Sequence, residues 1–190
     1  MTAATLLRAS RARVGWTQRE LARRSGVAQP SLSDIESGVR DTTVSKLEGV
    51  LRAAGSSLVV VPSVVPSVAA WAAQLADRVP ADPGGVEKGL VQVADDLRSV
   101  EGATRVALCV TPPASTGLSW LDAVLAAIVE HSLTEDRLPV PGWVSEPWRC
   151  AAEPWDLITV PALQEAARAT TPDEFRRRNV FVPADFLASV

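Results

Sequence analysis

Few residues in this chain have the types and spacing that catalysis or metal binding requires. His131 is the one histidine and lies next to an apolar helical stripe, and Cys109 and Cys150 are far apart with no CxxC partner. The sequence has no glycine-rich phosphate loop and no nucleophile elbow. We therefore expect no catalytic residues, no metal and no cofactor, and nothing supports an enzyme fused to another module.

The distribution of charge favours binding of a polyanion instead. The formal net charge is −3, which by itself argues against nucleic acid. Residues 1–62, however, carry nine basic and five acidic residues, a net charge of +4, and residues 63–190 carry ten and seventeen, a net charge of −7. A basic module beside an acidic one suits a nucleic-acid-binding domain with a separate partner-binding domain. A solvated acidic surface is an equally natural explanation of the second half.

Residues 16–38 predict the element that would present the basic charge, namely two short helices joined by a tight turn. Thr17 and Glu20 have the spacing of a capping box at the start of the first helix. Gly26 ends that helix at a position that favours a positive φ. The second helix is expected over about residues 28–37.

Apolar residues at helical spacing extend this pattern into a small domain. Leu32 and Ile35 form the buried side of the second helix, and Pro30 is tolerated in its first turn, where no backbone donor is needed. Flanking helices are predicted by two further sets of apolar residues, which are Leu6, Leu7, Ala9 and Val14 before the pair and Val44, Leu47, Val50 and Leu51 after it. We expect a five-helix domain over residues 1–56.

With this pattern, the segment from Leu6 to Gly55 resembles the Cro/Xre-type (phage-repressor-like) helix-turn-helix family. The resemblance is carried by Arg11, Thr17, Gln18, Leu21, Ala22, Gly26, Val27, Leu32, Ile35, Glu36 and Gly38. Ala28 departs from the family, which usually has a serine or threonine cap there, and Pro30 removes a donor that many relatives use on DNA. The resemblance implies that the second helix enters the major groove of an operator in double-stranded DNA.

The resemblance also implies roles for individual side chains. The exposed face of the second helix would read base edges, with Gln29 best suited to an adenine; its residues are Gln29, Pro30, Ser33 and Asp34. A second set would hold the DNA backbone without reading sequence, and it comprises Gln18, Ser31, Arg40, Thr42, Thr43 and Lys46. Arg11 and Glu36 would form a partly buried, structural ion pair, and Trp16 is expected in the core.

Residues 57–66 are predicted to form a strand and a linker. Three consecutive valines favour a strand that Pro62 ends. A strand with no sheet in its own domain leaves backbone groups unpaired, and the same strand of a second copy would pair them. A homodimer made through Leu58, Val59, Val60 and Val61 would suit two half-sites about 34–36 Å apart. A strand packed within one chain is the alternative.

Residues 67–190 are long enough for a second domain, which we expect to be acidic, mainly α-helical and able to bind a partner or a ligand. Helices are expected over residues 67–79, 86–100, 117–133 and 184–188, and another begins after Thr171. A loop is expected over residues 80–85, a short strand or the start of a buried helix over residues 105–110, and an extended segment over residues 180–183.

Two features of this half each have two interpretations. Tryptophans alternate with prolines from residue 139 to residue 155, which suits either an exposed docking surface or an irregular wrap over helices; the tryptophans are Trp143, Trp148 and Trp155. The run Arg176, Arg177 and Arg178 suits either a second phosphate-binding patch or ion pairs within its own domain.

Together these observations predict a cytoplasmic, dimeric, sequence-specific transcriptional repressor with no membrane segment and no signal peptide. The second half is similar to the C-terminal regions of Xre-type proteins encoded beside nucleotidyltransferase toxins, which implies an antitoxin whose partner is a protein toxin. The alternative is a one-component regulator that senses a small ligand. The ligand sensor predicts an enclosed apolar pocket, whereas the antitoxin predicts an exposed surface patch.

Overall fold

A computed structural model describes residues 2–79 and 81–187, and the chain divides into two compact units, residues 1–62 and residues 63–190. Each unit has its own apolar core. Strands within the described ranges are limited to one pair of two-residue segments. The predicted mainly α-helical fold is therefore confirmed.

The described part of the first unit contains four helices, which are α1 (Ala3–Arg13), α2 (Gln18–Ser25), α3 (Gln29–Glu36) and α4 (Val44–Ala53). They share a core of Leu7, Leu21, Leu32, Ile35, Leu47, Val50 and Leu51. The expected count of five helices is not reached, because residues 56–63 after α4 have no regular secondary structure. Consecutive β-branched valines followed by Pro62 disfavour a helix at that place.

Residues 57–61, which were predicted to form a strand, have no regular secondary structure and belong to no sheet. Leu58 packs against the core of the first unit, whereas Val59 and Val60 are 73% and 92% exposed. Residues 2–62 hold no second strand with which this segment could pair. Its packing as a strand within one chain is therefore not found, because the unit offers it no neighbour.

Local signals fix the helix-turn-helix unit much as its sequence indicates. The Thr17 hydroxyl accepts the Glu20 N–H at 3.2 Å, and Gly26 ends α2 with a φ of 69°. The Glu20 carboxylate accepts hydrogen bonds from Arg23 and Arg24. Ala28 begins α3 without a side-chain cap, and Pro30 lies in the first turn of that helix.

The second unit is organised around one buried helix. Its helices are α5 (Val68–Arg78), α6 (Pro83–Arg98), α7 (Gly102–Val110), α8 (Ser119–Glu135), α9 (Pro161–Thr170) and α10 (Asp173–Arg176). Leu121, Leu125 and Ile128 of α8 are fully buried, and α8 packs against α5, α6, α7 and α10. Short 3-10 helices cover Gly142–Ser145 and Ala184–Leu187. Strands β1 (Trp155–Asp156) and β2 (Val180–Phe181) are parallel, with Trp155 opposite Val180.

Several boundaries in this unit differ from the sequence prediction. Helix α6 begins inside the predicted loop because the Asp82 carboxylate accepts the Gly85 N–H at 2.9 Å and caps the helix. Of the two alternatives for residues 105–110, the helical one holds, since they belong to helix α7, which begins three residues earlier at Gly102. The last predicted helix is a 3-10 helix over Ala184–Leu187, and the predicted end at Ala188 lies outside the described residues, as does Pro80. Helix α9 was not predicted.

Buried arginines hold the irregular segments of the second unit against its helices. Arg149 is 1% exposed, lies between the rings of Trp143 and Trp148, and donates to the Pro113 carbonyl at 2.8 Å. Burial lowers the pKa of Arg149. The Trp143 indole N–H donates to the Cys109 carbonyl at 2.8 Å, whereas the Trp148 side chain remains 45% exposed. The tryptophan and proline segment is therefore largely a wrap over the helices.

The arginine run at residues 176–178 pairs within its own unit. Arg178 is buried and donates to the Val144 carbonyl, and both Arg177 and Arg178 form ion pairs with Glu130. Burial alone would raise the pKa of Glu130, but the two guanidinium groups outweigh it, so the pKa is lowered. Arg176 donates to the Thr171 carbonyl and forms an ion pair with Asp173.

In the first unit, the side chains of Arg11 and Glu36 join α1 to the end of α3. Arg11 Nε and Nη2 donate to the two carboxylate oxygens of Glu36 at 2.8 and 3.0 Å, and Nη1 donates to the Trp16 carbonyl at 3.0 Å. The side chain of Glu36 is 3% exposed and that of Arg11 is 24% exposed. The hydrogen bond and charge of Glu36 raise the pKa of Arg11 against the opposing effect of burial.

Replacing Arg11 with alanine should lower the free energy of unfolding by about 3 kcal/mol, because a buried carboxylate loses its counter-charge. Urea denaturation of the full chain, followed by its helical circular dichroism, measures this change as a shift in an unfolding transition. Arg52→Ala is the matched control, since Arg52 and Glu48 form an exposed ion pair and its loss should change stability little. Equal effects of the two substitutions would contradict a structural role for Arg11.

Candidate nucleic-acid interface

Helix α3 separates a buried face from a polar face that is open to a ligand. Leu32, Ile35 and Glu36 are buried, whereas Gln29 and Pro30 are exposed. Ser33 and Asp34 are half-buried, as is Ser31. The four residues predicted to read bases therefore all retain accessible surface on the same eight-residue helix.

A chain of side-chain hydrogen bonds connects this helix to the start of α2. Gln18 Nε2 donates to Glu36 Oε2 at 2.9 Å, and Gln29 Nε2 donates to Gln18 Oε1 at 3.5 Å. A carboxylate only accepts hydrogen bonds, so Glu36 fixes which end of the Gln18 amide points inward. The Oε1 atom of Gln18 then faces Gln29 and accepts its amide N–H. The buried Glu36 carboxylate therefore also determines how the exposed Gln29 amide is oriented.

The segment after α3 contributes the remaining predicted backbone contacts. Thr43 caps α4, since its hydroxyl accepts the Lys46 N–H at 3.3 Å, and Thr42 N–H donates to Asp41 Oδ1 at 2.8 Å. The Arg40 N–H donates to the Asp34 carbonyl at 3.0 Å. The side chains of Arg40 and Lys46 are exposed, while Thr42 is half-buried.

The positive charges of the first unit differ in how free they are to bind phosphate. Glu20 forms ion pairs with Arg23 and Arg24, whose hydrogen bonds lower its pKa to about 2, so the pairs persist at neutral pH. Arg24 also lies over the Trp16 ring, 4.3 Å from its centroid, and Trp16 packs against the core. Arg19, Arg40 and Lys46 are exposed and have no ion pair within residues 2–79 and 81–187.

Two features of this interface were not predicted from the sequence. The first is the hydrogen bond from Gln18 to Glu36, which joins the first residue of α2 to the last residue of α3. Residue spacing cannot show that these two helix ends meet. The second is Arg19, an exposed cation in the first turn of α2, for which the capping box at residues 17–20 was an available signal.

The other side chains considered for chemistry are placed differently. Cys109 is fully buried, which raises the pKa of its thiol to about 12 and makes it a poor nucleophile. The Nε2 atom of His131 lies 3.4 Å from Glu135 Oε1, and its Nδ1 atom lies 3.6 Å from Glu174 Oε2. Within the described ranges, no three His, Cys, Asp or Glu residues are arranged to hold a metal ion. Over the same ranges, no helix has the length and apolar character to cross a membrane.

Comparison with known proteins agrees with this geometry for the first unit. A family model described as helix-turn-helix matches residues 7–61, which span most of α1 and all of α2, α3 and α4. Searches among curated proteins and among solved structures found no match. The first unit therefore belongs to the Cro/Xre-type helix-turn-helix family of DNA-binding transcriptional regulators.

Proposed function

We propose that this regulator is a homodimeric repressor that acts in the cytoplasm, and that its second unit neutralises a protein toxin. The observation that carries the DNA-binding part is the exposed polar face of α3, held by the chain of hydrogen bonds from Gln29 through Gln18 to Glu36. A helix whose polar side chains are pre-oriented by a buried ion pair loses little conformational freedom when it binds.

Gln29 is the residue we propose to read a base. One of its two amide N–H groups is directed to Gln18, which leaves a second N–H and the carbonyl oxygen. That donor and acceptor match N7 and the N6 amino group of adenine in the major groove. Pro30, Ser33 and Asp34 complete the proposed base-facing surface.

The proposed backbone contacts surround this helix. Gln18 and Ser31 lie in the first turns of α2 and α3, and Arg40, Thr42, Thr43 and Lys46 lie at or near the start of α4. Helix N-termini and exposed cations suit phosphate oxygens. These contacts would set the register of the protein on DNA without carrying sequence information.

Replacing Gln29 and Arg40 separately with alanine should distinguish base reading from backbone binding. Gln29→Ala should relax the preference at one base pair by about 1–3 kcal/mol and leave the salt dependence nearly unchanged. Arg40→Ala should weaken binding to specific and random DNA alike and reduce the salt slope by about 1. Fluorescence anisotropy on an operator selected from a random library measures both, and an equal loss on all sequences for Gln29→Ala would refute its role.

A homodimer through residues 58–61 would supply the second half-site contact. Val59 and Val60 are exposed on a segment that has no strand neighbour in residues 2–62. Pairing with the same segment of a second copy would bury these valines and satisfy the backbone groups. This support is independent of the helix-turn-helix residues.

Val60→Asp should shift the protein from dimer to monomer, because it places a charge where two copies would meet. Val64→Asp is the matched control, since Val60 and Val64 are 92% and 100% exposed and Val64 lies beyond Pro62. Sedimentation equilibrium of the full chain measures the association constant. A Val60→Asp protein that remains a dimer, or an equal loss with Val64→Asp, would rule out pairing through this segment.

An open groove in the second unit supports a protein partner rather than a small ligand. The groove is apolar and lies beside α9, and Leu163 in its wall is 57% exposed. A small-molecule sensor usually encloses most of the surface of its ligand, which this open groove does not do. An exposed apolar surface on an acidic unit is the arrangement that the antitoxin hypothesis predicts.

Co-expression with each flanking gene tests the toxin-neutralising role. The expected result is a neighbour that inhibits growth alone, becomes harmless with this protein, and co-purifies with it in a fixed ratio. Arg40→Ala should leave this protection intact, because the proposed DNA contacts and partner contacts lie in different units. If neither flanking protein is toxic or bound, the antitoxin proposal fails and a ligand-sensing regulator becomes the better hypothesis.

A further inference from the structure

A groove of about 530 Å³ lies between α9 and the segment before and within the last 3-10 helix. We call it the α9 groove and define it by six lining residues, which are Ile158, Leu163, Ala166, Thr170, Pro183 and Asp185. Leu163, Ala166 and Thr170 are spaced three and four residues apart and so share one face of α9. Most of the lining is apolar, and Asp185 is its one charged member.

Most residues of helix α9, which forms one wall of the groove, are exposed to solvent. Ala167 is the one buried residue of this ten-residue helix, while Leu163 is 57% exposed and the preceding Val160 is 52% exposed. Small side chains at Ala166 and Thr170 leave room for a partner backbone to approach. Leu163 and Val160 therefore offer exposed apolar side chains that a partner would cover.

The helix is nevertheless held in place by specific contacts on its other side. Arg168 donates to both carboxylate oxygens of Asp156 at 2.7 and 2.6 Å and lies over the ring of Phe181. The Thr171 hydroxyl lies 2.9 Å from the carbonyl oxygens of both Ala167 and Val182 and donates its hydrogen bond to them. The groove is thus a formed feature whose wall does not need a ligand to be positioned.

Charge defines what kind of partner the groove fits. Arg168 is the only basic residue of α9, and Asp156 neutralises it. The exposed acids Glu165 on α9 and Asp185 in the groove lining remain, within a unit of net charge −7. An apolar segment with basic flanks complements this surface, whereas an acidic one is repelled.

We propose that the α9 groove binds an amphipathic helix of a basic partner protein. This inference rests on the proposed function in that it takes the partner to be the toxin, and it assigns the surface and chemistry by which the toxin is held. The bound helix places apolar side chains at i, i+3 or i+4, and i+7 against Leu163, Ala166 and Ile158. Lysine or arginine on its flanks faces Asp185, the charged residue of the groove lining.

Two labelled peptides of about 18 residues, or five helical turns, test the chemistry on the full-length protein. One is an amphipathic helix of leucine and lysine, and the other has the same leucines with glutamate for lysine. The lysine peptide should bind at least about tenfold more tightly than the glutamate peptide. Equal binding of the two peptides would overturn the charge preference.

Leu163→Asp locates the binding surface, and Val110→Asp is its matched control. Leu163 and Val110 are both 57% exposed, and both substitutions add one negative charge, which alone would favour a basic peptide. Leu163→Asp should nevertheless weaken binding of the lysine peptide by about tenfold or more, since it removes an apolar anchor, while Val110→Asp should not weaken it. Helical circular dichroism verifies that both variants are folded. Unchanged peptide binding by Leu163→Asp overturns the proposal.

The same variants separate this inference from the proposed function. A flanking toxin that co-purifies with the wild type and with Val110→Asp, but not with Leu163→Asp, supports both. A complex that survives Leu163→Asp overturns the groove and leaves the antitoxin role standing. Loss of self-association in Leu163→Asp would make a second copy the occupant and overturn the proposal. Leu163-dependent peptide binding without any toxic neighbour supports the groove and refutes the antitoxin role.

Discussion

The buried carboxylate of Glu36 is the constraint on which the DNA-binding unit depends. A charge that is 3% exposed is costly without a partner, and the structure satisfies it from two directions. Arg11 of α1 donates hydrogen bonds to both carboxylate oxygens of Glu36, and Gln18 of α2 donates to one of them. Two helices, α1 and α2, are thereby tied to the last residue of α3. The same hydrogen bonds reach Gln29, so one electrostatic requirement of the fold also orients the exposed face of the helix.

In the second unit, arginine side chains again pair with buried polar groups, but these groups are backbone carbonyls and not a carboxylate. The segments that flank α8 within the described residues are largely irregular, and their carbonyl groups need donors where they are buried. Arg149 and Arg178 donate hydrogen bonds to the carbonyls of Pro113 and Val144. The Trp143 indole N–H donates to the carbonyl of Cys109, near the end of α7. Arg178, which belongs to a basic run in the sequence, is therefore an internal structural element. The count of charges therefore identified the first unit as basic, but it did not show which of its cations are outside ion pairs.

How much could be predicted varied with how local the signal was. The capping residue Thr17, the left-handed Gly26 and the inward residues of α3 are consequences of neighbouring residues, and their positions were predicted. Helix α9 was missed because, apart from Leu163, its apolar residues after Pro161 are alanines, which give only a weak periodic pattern. The strand at residues 57–61 was predicted from valine content, yet a strand also needs a partner, which the sequence of one chain does not supply.

The sequence by itself determined the α-helical fold class, the helix-turn-helix unit and the opposite charges of the two halves, because helix caps, apolar periodicity and composition are properties of short segments. Only the tertiary structure decided that Gln18 meets Glu36, that Arg149 meets the Pro113 carbonyl, and that α9 stands beside an open groove. Each of these depends on residues more than ten positions apart being brought together. Such contacts arise from packing of whole helices, so no local pattern encodes them.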